Sequence, residues 1–327
     1  MDIDFVIIWV DGSDEEWLKE KEKFSPKKNT DSRNNRYRDL DNLQYWFRGV
    51  EKFAPWVRKI HFVTWGHLPD WLNKNNPKLN IVKHSDYIPN DYLPTFSSHP
   101  IELNLHRIKG LSDNFVYFND DMYIVKEMRK EDFFINNLPC DNAILDAISP
   151  TELFSHILVN NIEVVNRHFH KRDTIKENFK KWFNFKYGIE LYRTLALLPW
   201  GQFTGIKNPH LPIAFKKKTY FELWEKENET LSQTCLNKYR NASDINAWLL
   251  RYWQLLKGEF YPAKLNGKHY DIENIKDIEN VVNGFNNPKY KMLCLNDSVN
   301  ENDFEEVKKQ LKTCFNKILP DKSSFET

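Results

Sequence analysis

The step Asn119-Asp120-Asp121 follows directly on an apolar run, NFVYF, at 114–118. Two adjacent carboxylates at a strand end repel, and burial raises the pKa of one of them. A hard divalent cation relieves that repulsion, and Mg²⁺ commonly joins one or two carboxylates to substrate phosphates. The plain alternative is a solvated turn in which an aspartate caps the next element. A second acidic step, Asp11-Gly12-Ser13-Asp14, closes the β-branched run at 4–10. Glu102 and His106 stand four apart, so a helix over 100–108 puts them on one face with Arg107 beside them. That is too few donors for zinc. The set reads either as a hydrogen-bonded pair that orients the helix or as a wall facing phosphate. His210 lies in Asn208-Pro209-His210-Leu211-Pro212, where two prolines stiffen the loop around an imidazole suited to general-base work near pH 7; alone, it is equally a bland loop histidine. Arg240 precedes Ser243-Asp244 at a predicted helix start, a position that favours an anion or simply a polar cap.

The elements that must hold these groups follow from periodicity. Short β-branched or aromatic runs at 4–10, 59–64, 80–83 and 114–118 read as strands. Apolar spacing predicts helices at 15–24, 41–53 and 100–108, with Ser97 or Ser98 as cap. Alternating strands and helices predict an α/β fold with a mostly parallel, Rossmann-like sheet, whose ligands sit beyond the carboxyl ends of the strands. Both acidic steps fall there. The polar, Asn-rich stretch 27–38 is expected to be a mobile loop. The second half reads as more helical, with helices at 151–160, 173–185 and 303–319, one capped by Ser243, a Gly- and Pro-punctuated loop at 199–212 and a late strand at 291–295. A soft boundary near 140 divides residues 1–140, an α/β core, from 141–327, a helical half that completes the sheet and the site.

Composition sets outer limits. The chain has 327 residues with 41% hydrophobic and 15% aromatic side chains, enough for a large core, so wholesale disorder is excluded. Basic and acidic residues nearly cancel at 47 and 46, which disfavours non-specific nucleic-acid binding. The four cysteines, Cys140, Cys235, Cys294 and Cys314, have no zinc or disulfide spacing and are expected to be reduced structural thiols. No apolar run approaches the ~18–20 residues of a membrane span, so a cytoplasmic chain is expected and any membrane association would be peripheral, at the inner face. Walker, GxGxxG, GxSxG and HExxH motifs are absent.

Several segments together resemble the Stealth family of sugar-1-phosphate transferases of microbial capsule and exopolysaccharide synthesis, to which the animal N-acetylglucosamine-1-phosphotransferase also belongs. They are FVIIWVDGSDEEW from 5 to 17; RYRDLDNLQYWFRGVEKFAPWVRKIHFVTWGHLPDWLN and LPTFSSHPIELNLHRIKGLSDNFVYFNDDMYI, ending at 124; NPHLPIAFKK with NKYRNASDINAWLLRYW; and CLNDS with LPDKSSFE. Lys109 departs from the proline common in the family. The resemblance implies a nucleotide-sugar domain of the GT-A type. It implies metal binding by Asp120 and Asp121, and catalytic or phosphate-contacting roles for His210, Arg240 and Asp244. It also implies substrate contacts from Asp11, Gly12, Ser13, Ser98, Glu102, His106, Arg107 and Asn119. The implied cofactor is Mg²⁺ or Mn²⁺, and the implied partners are a UDP-sugar donor and an oligosaccharide or lipid-linked saccharide acceptor.

On that footing the acceptor hydroxyl attacks the phosphorus next to the sugar and expels UMP. Asp244 is expected to orient His210 or Arg240. Two other readings stay open. One is an ordinary metal-dependent glycosyltransferase, which releases UDP. The other is a catalytically silent saccharide-binding subunit.

Overall fold

The computed structural model describes residues 1–24, 30–31 and 37–327, so the stretch expected to be a loop at 27–38 lies largely outside the described residues. The chain opens with β1 (Ile3–Ile8), and α1 (Glu15–Glu22) follows after a turn, its N-terminus capped by Asp14, which accepts from the Trp17 N–H at 2.8 Å. Next come α2 (Leu43–Phe53), β2 (Ile60–Thr64) and β3 (Leu79–Lys83), then the short helix α3 (Ser98–Leu103) and β4 (Asn114–Phe118). β5 (Met122–Ile124) and the helix α4 (Leu153–His168) lead into the second half. There β6 (Ile213–Lys216), α5 (Lys217–Lys226), α6 (Asn228–Leu236), α7 (Ala247–Leu256), β7 (Gly267–Ile272), α8 (Ile278–Asn286), β8 (Met292–Asp297) and α9 (Phe304–Ile318) complete the fold.

The main sheet runs β3-β2-β1-β4-β6. Its first four strands are parallel, with Phe5 beside Ile60 and Val116, and β6 closes the edge antiparallel to β4. The fold class is therefore a mostly parallel α/β sheet. The chain moves outward from β1 through β2 to β3 and then returns to β4 on the other side of β1. Strand order reverses between β1 and β4, and a crevice opens beyond their carboxyl ends, where ligands bind in such sheets. A smaller sheet, β7-β8-β5, has β8 parallel to β7 and antiparallel to β5. Because β5 follows β4 after only Asn119, Asp120 and Asp121, this second sheet clamps the acidic turn from the far side.

Side chains alternate across β1. Ile3, Phe5 and Ile7 face a core with Trp46, Phe47 and Val50 of α2 and Leu311 and Phe315 of α9. Val6 faces the other core, with Phe115, Tyr117 and the α7 residues Leu249, Leu250 and Trp253. Two expectations need correction. The helix 100–108 stops at Leu103; Asn104 breaks the path and donates its side-chain N–H to the Pro100 carbonyl, and only a 3₁₀ turn covers Leu105–Arg107. Glu102 and His106 thus share no continuous helix face. Ser243 does not cap α7; Asn246 does, accepting from Trp248 N at 3.2 Å, while Ser243 closes a turn on Asn241. All four cysteines are free and buried. Among the described residues, no helix is long and apolar enough to cross a membrane.

Candidate active site

Beyond β1, the Asp11 carboxylate accepts from both the backbone N–H and the hydroxyl of Ser13, at 2.8 and 2.6 Å, which folds the turn on itself. The Asp11 N–H donates to His67 Nε2 at 2.7 Å, placing the proton of that imidazole on Nδ1. Burial holds the His67 pKa below its ordinary value, so the ring stays neutral and keeps its acceptor nitrogen. Gly12 is required by contact: a Cβ there would lie 1.9 Å from the Tyr37 carbonyl oxygen. A cavity of about 810 Å³ spans this turn, Lys21, Tyr37 and Asp39.

Beyond β4, Asn119, Asp120 and Asp121 line an adjoining cavity of about 190 Å³ together with Ser97, Ser98, His84 and Arg240. Trp9 and Tyr37 border both cavities, so the two form one cleft across the point where strand order reverses. The Asp120 side chain lines that cleft and is exposed to solvent. Desolvation first, then Asp121 and Asp39, push its pKa up to about 8. Among the described residues, Asp121 Oδ1 is buried without a hydrogen-bond partner, and Oδ2 accepts only a weak bond from the Cys294 thiol at 3.3 Å. A carboxylate left so poorly satisfied is costly in the apo protein. A bound cation would repair both defects, so the donor set fits a divalent ion.

Cys294 leads to a second cluster. It lies opposite His269 in the β7/β8 pairing, and the His269 ring is 4.4 Å from that of His210. Donor atoms of His210, His269 and Cys294 all fall within 4.8 Å of one another. Burial and the neighbouring His210 lower the His269 pKa, and Asp271 and Asp121 only partly oppose them. Burial and Asp121 push the Cys294 thiol well above its ordinary range, so it is protonated.

The loop that carries His210 is held from α7. Arg251 makes a bidentate, buried pair with Asp141 at 2.7 and 2.8 Å and donates to the Lys207 carbonyl at 2.9 Å. Asn208 donates to the Tyr252 hydroxyl at 2.7 Å. His210 itself has a positive φ of 49°, a region unfavourable for a residue with a Cβ, and such local strain persists only where the surroundings enforce it.

Among the residues singled out by sequence, Asp11, Gly12, Ser13, Ser98, Asn119, Asp120, Asp121 and Arg240 come together around the cleft. Arg240 reaches Ser98 Oγ at 3.4 Å. His210 stands next to Asp121 through Cys294. Three others are not brought in. Glu102 is buried, accepting from Tyr117 Oη at 3.2 Å and from Ala247 N at 3.1 Å, so it anchors the start of α7. His106 is buried against Tyr220, Phe221 and Trp224, and burial lowers its pKa to about 3. Arg107 lies exposed over the Trp224 ring. The break at Asn104 turns both residues away.

Asp244 is fully buried and accepts from His99 Nδ1, Asn241 N and Asn237 Nδ2 at 2.9, 2.9 and 2.7 Å, the second of these bonds at the residue that follows Arg240. It fixes the turn after Arg240 to α3. Sequence reasoning missed Asp39, His67, His99, His269 and Cys294. Only strand register joins His269 to Cys294, and no local pattern announces it.

A mostly parallel α/β sheet with an acidic, cation-ready cleft at its reversal point describes a class of phosphate-handling enzymes. Stealth protein conserved regions 1, 2 and 4 match residues 1–29, 36–140 and 286–327. The chain is 45% identical to a capsular polysaccharide phosphotransferase, WcwK, of Streptococcus pneumoniae, over 99% of this chain and 98% of the relative. It is 41% identical to an exopolysaccharide phosphotransferase, cps2G, of Lactiplantibacillus plantarum, over 99% and 96%. It is 40% identical to a receptor polysaccharide phosphotransferase, WefC, of Streptococcus oralis, over 99% of both. This chain belongs to the Stealth family. His210, Arg240 and Asp244 fall between the matched conserved regions, within the span the full-length relatives cover. A solved galactosyltransferase, LgtC, aligns over 97% of this chain and 96% of its own at 10% identity and a TM-score of 0.41.

Proposed function

We propose that this chain transfers a hexose-1-phosphate or N-acetylhexosamine-1-phosphate from a UDP-sugar to a saccharide hydroxyl, releasing UMP, in the synthesis of a cell-surface polysaccharide. The observation that carries the reading is Asp121: a carboxylate with one orphaned oxygen, in a cleft shared with Arg240 and one side chain away from His210. The relatives' phosphotransferase names support the same class of chemistry.

The larger cavity, with the Asp11 turn at its wall, suits the nucleoside, and the smaller one suits the diphosphate. Asp120 and Asp121 would hold Mg²⁺ or Mn²⁺, which supplies charge neutralisation for the diphosphate and the departing phosphate. Arg240 provides a fixed positive charge for the oxygens of the phosphorus under attack. His210 accepts the proton of the acceptor hydroxyl as its oxygen bonds to the sugar-side phosphorus and the bond to the UMP oxygen breaks. Asp244 acts at a distance, holding His99 and the turn that presents Arg240.

The test is the nucleotide released by purified protein from UDP-hexoses with Mg²⁺ or Mn²⁺ and a saccharide acceptor. Acceptor-dependent UMP, abolished by EDTA and by Asp121→Asn, is expected. UDP in its place would overturn the phosphotransfer reading and leave a glycosyltransferase.

A further inference from the structure

Between residues 171 and 207 the chain carries eight basic and three acidic residues, while the whole chain is balanced to within one charge. The rest of the protein is therefore net acidic overall, and this segment, like residues 23–38, is a local excess of positive charge. The same segment holds most of the exposed large apolar side chains among the described residues: Phe179, Phe185, Ile189, Tyr192, Leu195 and Trp200. Phe185 is 96% exposed, Ile189 89% and Tyr192 73%. A cluster of this kind on a folded surface marks an interaction site, because isolated apolar residues are normal and contiguous ones are costly.

The exposure is built in and is not fraying. Tyr187 points inward and donates to the Lys181 carbonyl at 2.7 Å, and Thr194 is buried with its hydroxyl accepting from Leu145 N at 3.1 Å. The buried Lys171 ammonium donates to the Leu197 and Trp200 carbonyls at 2.5 and 2.8 Å, which fastens the far end. Gly188, at φ 57°, makes the bend that throws Phe185 and Ile189 outward. A rigid ridge thus offers aromatic and aliphatic side chains to the outside, with Lys180 and Lys186 among them, while Arg193 is paired with Asp146 and Glu190.

We propose that this ridge docks the enzyme on an anionic lipid bilayer, with the apolar side chains entering the headgroup boundary and the basic ones meeting lipid phosphates. The chemistry fits one occupant. Aromatic and aliphatic tips with basic flanks are the pattern of interfacial anchors, and each Lys or Arg near an anionic surface contributes about 1 kcal/mol. A second copy of the chain would present the same excess of positive charge and be repelled. Placement supports the assignment too. A cavity of about 540 Å³, lined by Lys186 and Ile189 of the ridge, runs to Lys207, Lys268 and His269. It reaches the His210 cluster at His269, Pro209 and Leu211. A membrane-anchored anionic acceptor would enter through it, and this last clause alone rests on the phosphotransferase reading.

The experiment is co-sedimentation of the full chain with vesicles of phosphatidylcholine alone or with phosphatidylglycerol added. Binding to the anionic vesicles, at least about tenfold tighter than to neutral ones and weakened by salt, is expected. Phe185→Ser with Tyr192→Ser should reduce it at least about tenfold with an unchanged melting temperature, since both side chains are in solvent. Equal binding by wild type and variant, or no binding by either, overturns the proposal. So does a dimer in solution that the double variant converts to monomer, which would assign the ridge to a second copy. None of these readouts depends on UMP release, so failure of the catalytic reading leaves the vesicle result intact.

Discussion

Asp4, near the amino end of β1, and the Asp120-Asp121 pair, beyond the carboxyl end of β4, show two uses of acid on adjacent strands. Asp4 is saturated. It accepts from Arg58 Nε at 2.8 Å, from Arg58 Nη2, from His61 Nε2 at 3.0 Å and from Ser112 N at 2.8 Å. Burial alone would raise its pKa, but the bonds from His61, Arg58 and Ser112 outweigh that and hold it below the usual carboxylate range. Asp121 has one oxygen with no partner and one with a thiol, and Asp120 is pushed up to about 8. Both ends carry acid, but only the second leaves a buried carboxylate oxygen unpaired among the described residues. The difference teaches that charge at a strand end is not by itself a site; unmet coordination is.

The largest effect should come from the unsatisfied end. Asp121→Asn is expected to lower turnover about 10³-fold, roughly 4 kcal/mol of transition-state stabilisation, while the melting temperature holds or rises because a strained charge is gone. Initial-rate kinetics beside calorimetry read both, and a falling melting temperature would place Asp121 with Asp4. His210→Gln should cost about 10²–10⁴ in kcat with little change in donor KM.

Asp4→Ala should do the reverse. Removing one partner from a buried pair costs roughly 3–5 kcal/mol, and the half-exposed Arg58 reduces that here to about 2–4. Donor KM should be unchanged in the folded fraction, as urea melts and kinetics on the same preparation would tell.

A smaller effect is expected from His106. Its folded pKa of about 3 lies below the ordinary value of 6.5, so the unfolded chain takes the proton first. Stability present above about pH 6.5 is lost as pH falls toward 3, on the order of 2 kcal/mol by pH 5. His106→Phe should flatten that slope in urea melts at pH 7 and pH 5; an unchanged slope would mean the acid limb comes from other groups.

Smallest is Asp244→Asn. Because Asp244 holds His99 and the turn that follows Arg240, about 1 kcal/mol of stability should go. Turnover should fall less than tenfold, against the larger fall for His210→Gln. An equal fall in kcat with stability intact would restore Asp244 to the chemistry.

The four parallel strands of the main sheet could be read from the sequence to within one or two residues because their cues are local, whereas the edge strand β6 was not read. Continuous β-branched runs ended by Asp-Gly and Asn-Asp steps need no partner to be recognised, and β4 was bounded by its own pattern. The α2 and α9 stripes are legible for the same reason. The helix through Glu102 and His106 was not, since Asn104 ends it with a side-chain bond to Pro100 that competes with the helical ladder.

By itself the sequence determined the alternation of strands and helices, hence a mostly parallel sheet with both acidic steps at its carboxyl edge. Periodicity and turn chemistry are properties of neighbouring residues, and they survive without a fold. Tertiary structure alone decided which carboxylates are paired. Asp4 finds Arg58 and His61 across a strand, while Asp121 finds only Cys294, and both outcomes depend on register between distant segments. It also decided that Asp244 serves His99, that His269 joins His210, and that Phe185 and Ile189 stay in solvent. Each is set by packing between residues far apart in the chain, where local pattern carries no information.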